Sequence, residues 1–227
     1  MPTLTPDTVR YVARIQNVTE VMLIGHADLA FWQAHLKLAN LVPCAVQGEA
    51  SVQLSATSAR WYGFPFCEFT ISIGVGESNE TGQPREFYLA HAFNSLPLFA
   101  FMERTFFHTP YFPGQIDVQL TPPRLAVTVD GTRAFDAAMT NRVENVRTTA
   151  DDWFGPIHLP DRSSVFYARL SGQTSAYDFS AADSFAIKPA STAPIFQWLI
   201  ESHFTPHEWR LRNAAAHAKS QTYRRTP

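Results

Sequence analysis

Glu68 is the residue of this chain whose surroundings most suggest chemistry. It lies in a predicted strand, Cys67 to Val75, where apolar and polar residues alternate, and it shares the polar face with Thr70 and Ser72. If that face is the outside of a sheet, Glu68 is an ordinary solvated carboxylate. If it lines the inside of a barrel, burial disfavours the charged form, and the carboxyl group can act as an acid or a base.

Three further side chains either assist Glu68 or only stabilise the fold. His91 lies in a later strand on the face of Phe93, where a hydrogen-bonded core histidine is the alternative to a functional one. His108 follows two phenylalanines at the end of a predicted helix, where the helix C-terminus favours a positive charge. Arg104 lies on the same mainly apolar helix, and a partly buried arginine needs a carboxylate or an anionic ligand.

A charge set among many aromatic rings is expected to be paired. Arg104 is surrounded in sequence by phenylalanines, and Glu68 follows Phe66 and precedes Phe69. We therefore expect Glu68 and Arg104 in one buried polar cluster, within reach of Tyr111 or His108, with Glu103 facing elsewhere. If the pair is only structural, it stabilises the barrel without binding anything.

The sequence motifs of common nucleophile, nucleotide-binding and metal sites are absent. The chain has no G-x-S-x-G, P-loop or H-E-x-x-H motif. Its two cysteines, Cys44 and Cys67, lack metal-ligand spacing and form no disulfide framework. We therefore expect neither a metal nor a cofactor.

Composition narrows the class of protein. The chain has 227 residues, a formal net charge of -2, 45% hydrophobic residues and 13% aromatic residues. This excludes a disordered chain and a strongly basic nucleic-acid binder, and it supplies enough apolar material for a core and an apolar ligand cavity. No signal peptide and no apolar run of about 18 residues is evident. We therefore expect a cytoplasmic protein that binds neither nucleic acid nor membrane.

Periodicity predicts roughly ten strands, mostly linked as hairpins, and three helices that begin after Asp28, Ser95 and Ser191. No linker or repeat divides the chain. We therefore predict one domain over 1–213 and a polar, frayed tail over 214–227. Residues 140–160 form a long polar segment with few regular signals, which is typical of a functional or mobile loop. The fold class is α+β, mainly β: an antiparallel barrel or packed sheets with helices.

Several short motifs, in order, resemble acetoacetate decarboxylase. They are Trp-Tyr-Gly-Phe-Pro-Phe-Cys-Glu at 61–68, Phe-Tyr-Leu at 87–89, and Arg104 followed by Pro-Tyr-Phe at 110–112. In that family an aromatic segment ending in Glu leads a strand, and a helix with an Arg runs into a Pro-Lys-Lys turn. A decarboxylase-related bacterial family of unknown function is closer still. Its Leu-Pro-Tyr-Phe turn is similar to 109–112, and its Trp-x-Leu is similar to 209–211.

The resemblance, which covers roughly residues 10 to 140, implies a cone-shaped antiparallel β-barrel. It also implies helices outside, an apolar internal cavity and a homo-oligomer of two or more copies. In the decarboxylase, a lysine of the Pro-Lys-Lys turn forms a Schiff base with a β-keto acid. Tyr111 stands at that position here, Phe112 replaces the neighbouring lysine, and none of Lys37, Lys188 and Lys219 replaces the missing amine. The resemblance therefore argues against a Schiff-base decarboxylase.

The leading hypothesis is a barrel that binds a small apolar or carbonyl-bearing molecule in an internal cavity. If the protein is an enzyme, we expect a lyase, isomerase or cyclase that uses acid–base chemistry without a Schiff base. Glu68 with Tyr111 or His108 would carry the chemistry, and Tyr111 would donate a hydrogen bond to a developing oxyanion. Substrate would be bound by Arg104, His91, Phe112 and Tyr62. The alternatives are a non-catalytic ligand-binding or sensing barrel, and a structural protein whose aromatic residues only form the core.

Overall fold

A computed structural model describes residues 5–79, 82–140, 146–161 and 163–225. In this part of the chain there are three α-helices, α1 (Leu29–Leu36), α2 (Pro97–Phe107) and α3 (Ile195–Glu201), and a short 3-10 helix (Lys37–Ala39) follows α1. The helix α1 begins where the sequence predicts, because the Asp28 carboxylate accepts a hydrogen bond from the Phe31 backbone N–H at 2.7 Å. None of the helices described is long and apolar enough to cross a membrane.

The strands are named in chain order. They are β1 (Tyr11–Ala27), β2 (Ala45–Val46), β3 (Glu49–Trp61), β4 (Phe64–Ser78), β5 (Pro84–Asn94), β6 (Tyr111–Pro113), β7 (Gln115–Leu120), β8 (Pro123–Val129), β9 (Thr132–Ala138), β10 (Arg147–His158), β11 (Ser164–Asp178), β12 (Ser184–Ile187), β13 (Thr205–Ser220) and β14 (Tyr223–Arg224).

Seven of the strands close into a ring. Their order is β1-β13-β11-β10-β5-β4-β3, and β3 pairs back with β1 through nine residue pairs from Thr19 opposite Ser58 to Ala27 opposite Ala50. All ring pairings are antiparallel except a short parallel contact between β10 and β5. The short strands β2, β6 and β14 add to β3, β5 and β11. The predicted mainly β, barrel-like fold is confirmed.

A second sheet, in the order β12-β9-β8-β7, covers one outer face of the ring. The main hydrophobic core lies between the two sheets, where Phe69 and Phe135 are fully buried with ring centroids 5.4 Å apart. The apolar face of β4, from Phe69 to Val75, belongs to this core. Because side chains alternate along a strand, the polar face with Glu68 is directed into the ring.

Two segments differ from the sequence prediction. Residues 147–158 are a strand, β10, that pairs along its whole length with β11, although the sequence predicts an irregular segment over 140–160. Residues 141–145 lie outside the described part. Residues 214–220 belong to β13, although the sequence predicts a frayed tail. Both strands carry polar side chains that bind partners on other strands of the ring or on α2, so neither shows the hydrophobic run by which strands are usually recognised.

Candidate active site

Glu68 is held inside the ring by two hydrogen-bond donors. The Asn94 amide Nδ2 donates to Glu68 Oε1 at 2.9 Å, and the Tyr111 hydroxyl donates to Glu68 Oε2 at 3.2 Å. Strand pairing explains both contacts, because Glu68 on β4 lies opposite Asn94 on β5, and β6 places Tyr111 beside Ala92 on the other side of β5. The carboxyl group is thus fixed by two neighbouring strand contacts.

A lysine and a second carboxylate complete the cluster from other elements. Lys219 Nζ, on β13, forms an ion pair with Glu103 Oε2 on α2, and the Thr109 hydroxyl donates to the same oxygen at 2.6 Å. The Lys219 ammonium lies 4.8 Å, 4.9 Å and 5.9 Å from the ring centroids of Phe107, Phe166 and Tyr111. These are distances at which a cation is attracted to aromatic rings.

The side chains around this cluster are apolar. They are Leu89 and Ala92 on β5, Ala100 on α2, Tyr111 on β6, Leu159 directly after β10, and Phe166 on β11. The helix α2 lies against this end of the ring, where Phe99 contacts Phe66 and Trp61 at ring-centroid distances of 5.5 Å each. Glu103 and Ala100 therefore reach the cluster from a helix rather than from the ring wall.

These surroundings change the proton affinity of the site. The pKa of Glu68 is raised to about 7. Burial has the largest effect and the negative charge of Glu103 the second, whereas Lys219 and the two hydrogen bonds lower the pKa. Burial, followed by the negative charges of Glu68 and Glu103, raises the pKa of Tyr111 well above its ordinary value of 10.0. At neutral pH Glu68 is therefore present in both forms, and Tyr111 keeps its proton.

A second polar cluster lies inside the ring on other strands. The Arg212 guanidinium donates to Glu20 at 2.9 Å, to Asp151 at 2.9 Å and to Thr174 at 2.7 Å, and Ser55 donates to Glu20 at 2.7 Å. These residues come from β13, β1, β10, β11 and β3, so their side chains can meet only inside the ring. Burial alone would raise the pKa of Glu20, but His217 and Arg212 outweigh it and hold the pKa well below its usual range.

Of the predicted site residues, the structure brings Glu68 and Tyr111 together. The predicted pairing of Glu68 with Arg104 is wrong, because Arg104 is exposed and its guanidinium lies over the Phe112 ring at 5.0 Å. Successive residues of a helix point about 100° apart, so Glu103 and not Arg104 faces the cluster. The ion pair found in this cluster joins Lys219 and Glu103 instead.

Four other predicted site residues lie away from Glu68. His91 is on the opposite face of β5 from Asn94 and stacks on Phe112 with ring centroids 4.7 Å apart. Burial lowers the pKa of His91 to about 4, so this histidine is neutral at physiological pH. His108 is the exposed C-terminal cap of α2, and Tyr62 is 86% exposed at the turn between β3 and β4. In the described part of the chain, the side-chain hydrogen bonds of Glu68 are made with Asn94 and Tyr111 and with none of these four residues.

The sequence analysis missed Asn94, Glu103, Thr109 and Lys219. A usable signal existed for Glu103, because Ala100, Glu103 and Phe107 share one helix face by their spacing. For Lys219 the signal was its alternation with His217 in a segment of small residues, which fits a strand with a polar inner face. Among the residues that the structure describes, no group of three or more His, Cys, Asp or Glu side chains could hold a metal ion.

Comparison with known proteins shows the fold. No protein-family profile matches the chain, and no curated protein is significantly similar in sequence. Solved structures do match over nearly the whole chain. The enduracididine biosynthesis enzyme MppR, complexed with the condensation product of pyruvate and imidazole 4-carboxaldehyde, has a TM-score of 0.61 at 13% identity, over 98% of this chain and 94% of its own. Acetoacetate decarboxylase from Legionella pneumophila has a TM-score of 0.60 at 12% identity, over 100% and 92%.

An acetoacetate decarboxylase-like enzyme from Sphingomonas wittichii has a TM-score of 0.55 at 11% identity, over 99% of this chain and 98% of its own. The chain therefore has the acetoacetate decarboxylase-like fold that its sequence motifs resemble.

Proposed function

We propose that this protein is an acid–base enzyme that acts on a small carbonyl compound inside the barrel, with Glu68 as the catalytic base and acid. One observation carries the proposal: the half-buried carboxyl group of Glu68 is bound to Tyr111 of the apolar cluster, and burial and the charge of Glu103 raise its pKa to about 7. A general base works best when its pKa is close to the working pH.

The reaction class follows from the groups around Glu68. The ionised carboxylate removes a proton from the carbon next to a carbonyl group. The C–H bond breaks, an O–H bond forms on Glu68, and the electron pair moves through the new C=C bond to the carbonyl oxygen as an enolate. The protonated Glu68 then returns the proton to the same or another carbon. Proton removal of this kind is the first step shared by isomerases, lyases and cyclases that act on carbonyl compounds. Asn94 and Tyr111 orient the Glu68 carboxyl group for this step.

Lys219 supplies the positive charge for the enolate. Its ammonium has three N–H donors, and the ion pair with Glu103 leaves donors for a substrate oxygen. A positive charge in surroundings of low polarity stabilises a developing oxyanion strongly. In this mechanism Lys219 acts from within its ion pair with Glu103, and no imine is formed. The names of two fold neighbours, an acetoacetate decarboxylase and an enzyme bound to a pyruvate condensation product, concern carbonyl compounds and support this class.

Deuterium exchange tests the proposal directly. In D2O, NMR should show enzyme-dependent exchange of protons next to the carbonyl group of butanone, levulinate or methyl levulinate. The change Glu68→Gln should lower the exchange rate at least about 100-fold, since loss of a general base has effects of this size. The rate should rise with pH around an apparent pKa near 7, because the ionised form of Glu68 is the base.

The matched control is Arg104→Gln, which alters an exposed charge on the neighbouring helix and should leave the exchange rate unchanged. Exchange that persists in Glu68→Gln, or absence of exchange with all three compounds, would overturn the proposal.

A non-catalytic ligand-binding barrel is the second candidate. The observation that favours it is that Glu68, Glu103 and Lys219 all have partners within the cluster, as expected of groups that hold a structure together. In that case the same compounds should raise the melting temperature without any proton exchange.

A further inference from the structure

We infer that the site takes an uncharged carbonyl compound rather than a keto acid. The inference rests on the proposed function and names the substrate class of the same site. It is carried by the pairing of charges inside the ring. In the part of the chain described, the lysine and the arginine of the interior clusters are Lys219 and Arg212, and both are already bound to carboxylates.

Lys219 is the cation next to Glu68, and it is engaged by Glu103. The lysine side chain is 17% exposed and the glutamate side chain 20% exposed, so water screens their attraction poorly. Thr109 binds the same oxygen of Glu103 and keeps the carboxylate turned towards the lysine. A substrate carboxylate at Lys219 would have to share this one positive charge with Glu103, so one of two partly buried negative charges would lack a counter-charge.

Arg212 is no more available. Its Nε, Nη1 and Nη2 atoms each donate to a different residue, and its side chain is 4% exposed. His217 is the nearest further base, and its Nε2 atom lies 3.4 Å from Glu20 Oε2. The guanidinium therefore serves Glu20 and Asp151 and has no free edge for a ligand.

The charge balance of the interior works against an incoming anion. Four carboxyl groups, on Glu20, Glu68, Glu103 and Asp151, face one lysine, one arginine and the His217 imidazole in the two clusters. Burying an unpaired carboxylate is costly, since it loses its hydration and gains no counter-charge. A ketone or an ester needs only one hydrogen-bond donor for its carbonyl oxygen, and the apolar side chains around Tyr111 suit its alkyl groups.

A matched pair of ligands tests the inference. Methyl levulinate and levulinate share a ketone and a carbon chain and differ in the negative charge. Ligand-observed NMR titration at pH 7.5 should give a Kd for the ester at least about tenfold lower than for the acid. The change Glu103→Gln removes the internal partner of Lys219, so it should tighten levulinate binding at least tenfold and leave the ester nearly unchanged.

The control variant is Asp152→Asn, which removes one negative charge from an exposed pair with Arg169 and should alter neither Kd. Equal or tighter binding of levulinate to the unmodified protein would overturn the inference while the proposed function stands. So would a Glu103→Gln variant that folds and gains no affinity for levulinate. If that variant does not fold, the comparison of the two ligands on the unmodified protein still decides. Absence of binding and of proton exchange with both ligands would overturn the proposed function and this inference together.

Discussion

Glu68, Glu103 and Lys219 form a group of two carboxyl groups and one ammonium among apolar side chains. One ammonium balances one carboxylate, and Lys219 is in direct contact with Glu103 and not with Glu68. The proton that Glu68 retains to about pH 7 is the consequence of that imbalance and of burial. The protonation of Glu68 therefore depends on where Lys219 and Glu103 lie relative to it, more than on the types of the residues.

The raised pKa makes Glu68 a source of pH-dependent instability. Its folded-state pKa of about 7 exceeds its ordinary value of 4.5, so the folded protein binds this proton more tightly and loses stability as the pH rises between the two values. The change Glu68→Gln removes this loss. The difference in unfolding free energy, variant minus unmodified protein, should therefore increase from pH 4.5 to pH 7.5, by roughly 3 kcal/mol at most.

Urea unfolding at three pH values would measure the effect. The control is Asp152→Asn, because Arg169 lowers the pKa of Asp152 and its variant should show no such increase. If the difference in unfolding free energy between Glu68→Gln and the unmodified protein is constant or decreases with pH, the folded protein does not hold this proton.

At the scale of elements, alternation was the most informative signal. The alternation of β4 predicts correctly that Phe69 and Ile71 share a core face opposite to Glu68, and the resemblance to a barrel family adds that Glu68 points inwards. Strand β10 and the part of β13 from residue 214 were not predicted, because both carry inward polar side chains, such as Asp151 and Lys219, and a count of apolar residues misses them. The contact of Lys219 with Glu103 joins residues 116 positions apart, and local periodicity carries no information about such pairs.

The register of β1 against β13 depends on a glycine. A Cβ atom at Gly25 would lie 2.4 Å from the Thr205 carbonyl oxygen and 2.4 Å from the Phe204 ring. Since the backbone at Thr205 cannot yield without loss of strand pairing, Gly25→Ala should destabilise the protein by roughly 1–3 kcal/mol. Thermal and urea unfolding would measure this, with Val12→Ala at an exposed position of the same strand as the control. An unchanged stability would mean that the two strands are not held this closely.

The whole molecule presents an apolar surface around α2. Leu98, Phe101 and Phe106 are 64%, 52% and 64% exposed, and this outer surface of α2 is joined to the β3–β4 turn through the contact of Phe99 with Trp61. The resemblance to acetoacetate decarboxylase led us to expect a homo-oligomer, and exposed aromatic residues are enriched where copies meet.

Light scattering coupled to size-exclusion chromatography should therefore give the mass of two or more copies. The double change Phe101→Glu, Phe106→Glu should reduce it to one copy, and Leu38→Glu, at an equally exposed leucine elsewhere, should not. A single-copy mass for the unmodified protein would contradict the expectation.

The position of β13 in the ring has a consequence for synthesis on the ribosome. This strand pairs with β1 on one side and with β11 on the other, and it is made after both. Until it emerges, the nascent chain has two long unpaired strand edges and an interior without Lys219 and Arg212, so Glu103 and Glu20 have no counter-charge. Exposed edges invite pairing with other chains. The emergence of β13 therefore closes both strand edges and supplies both counter-charges in one step.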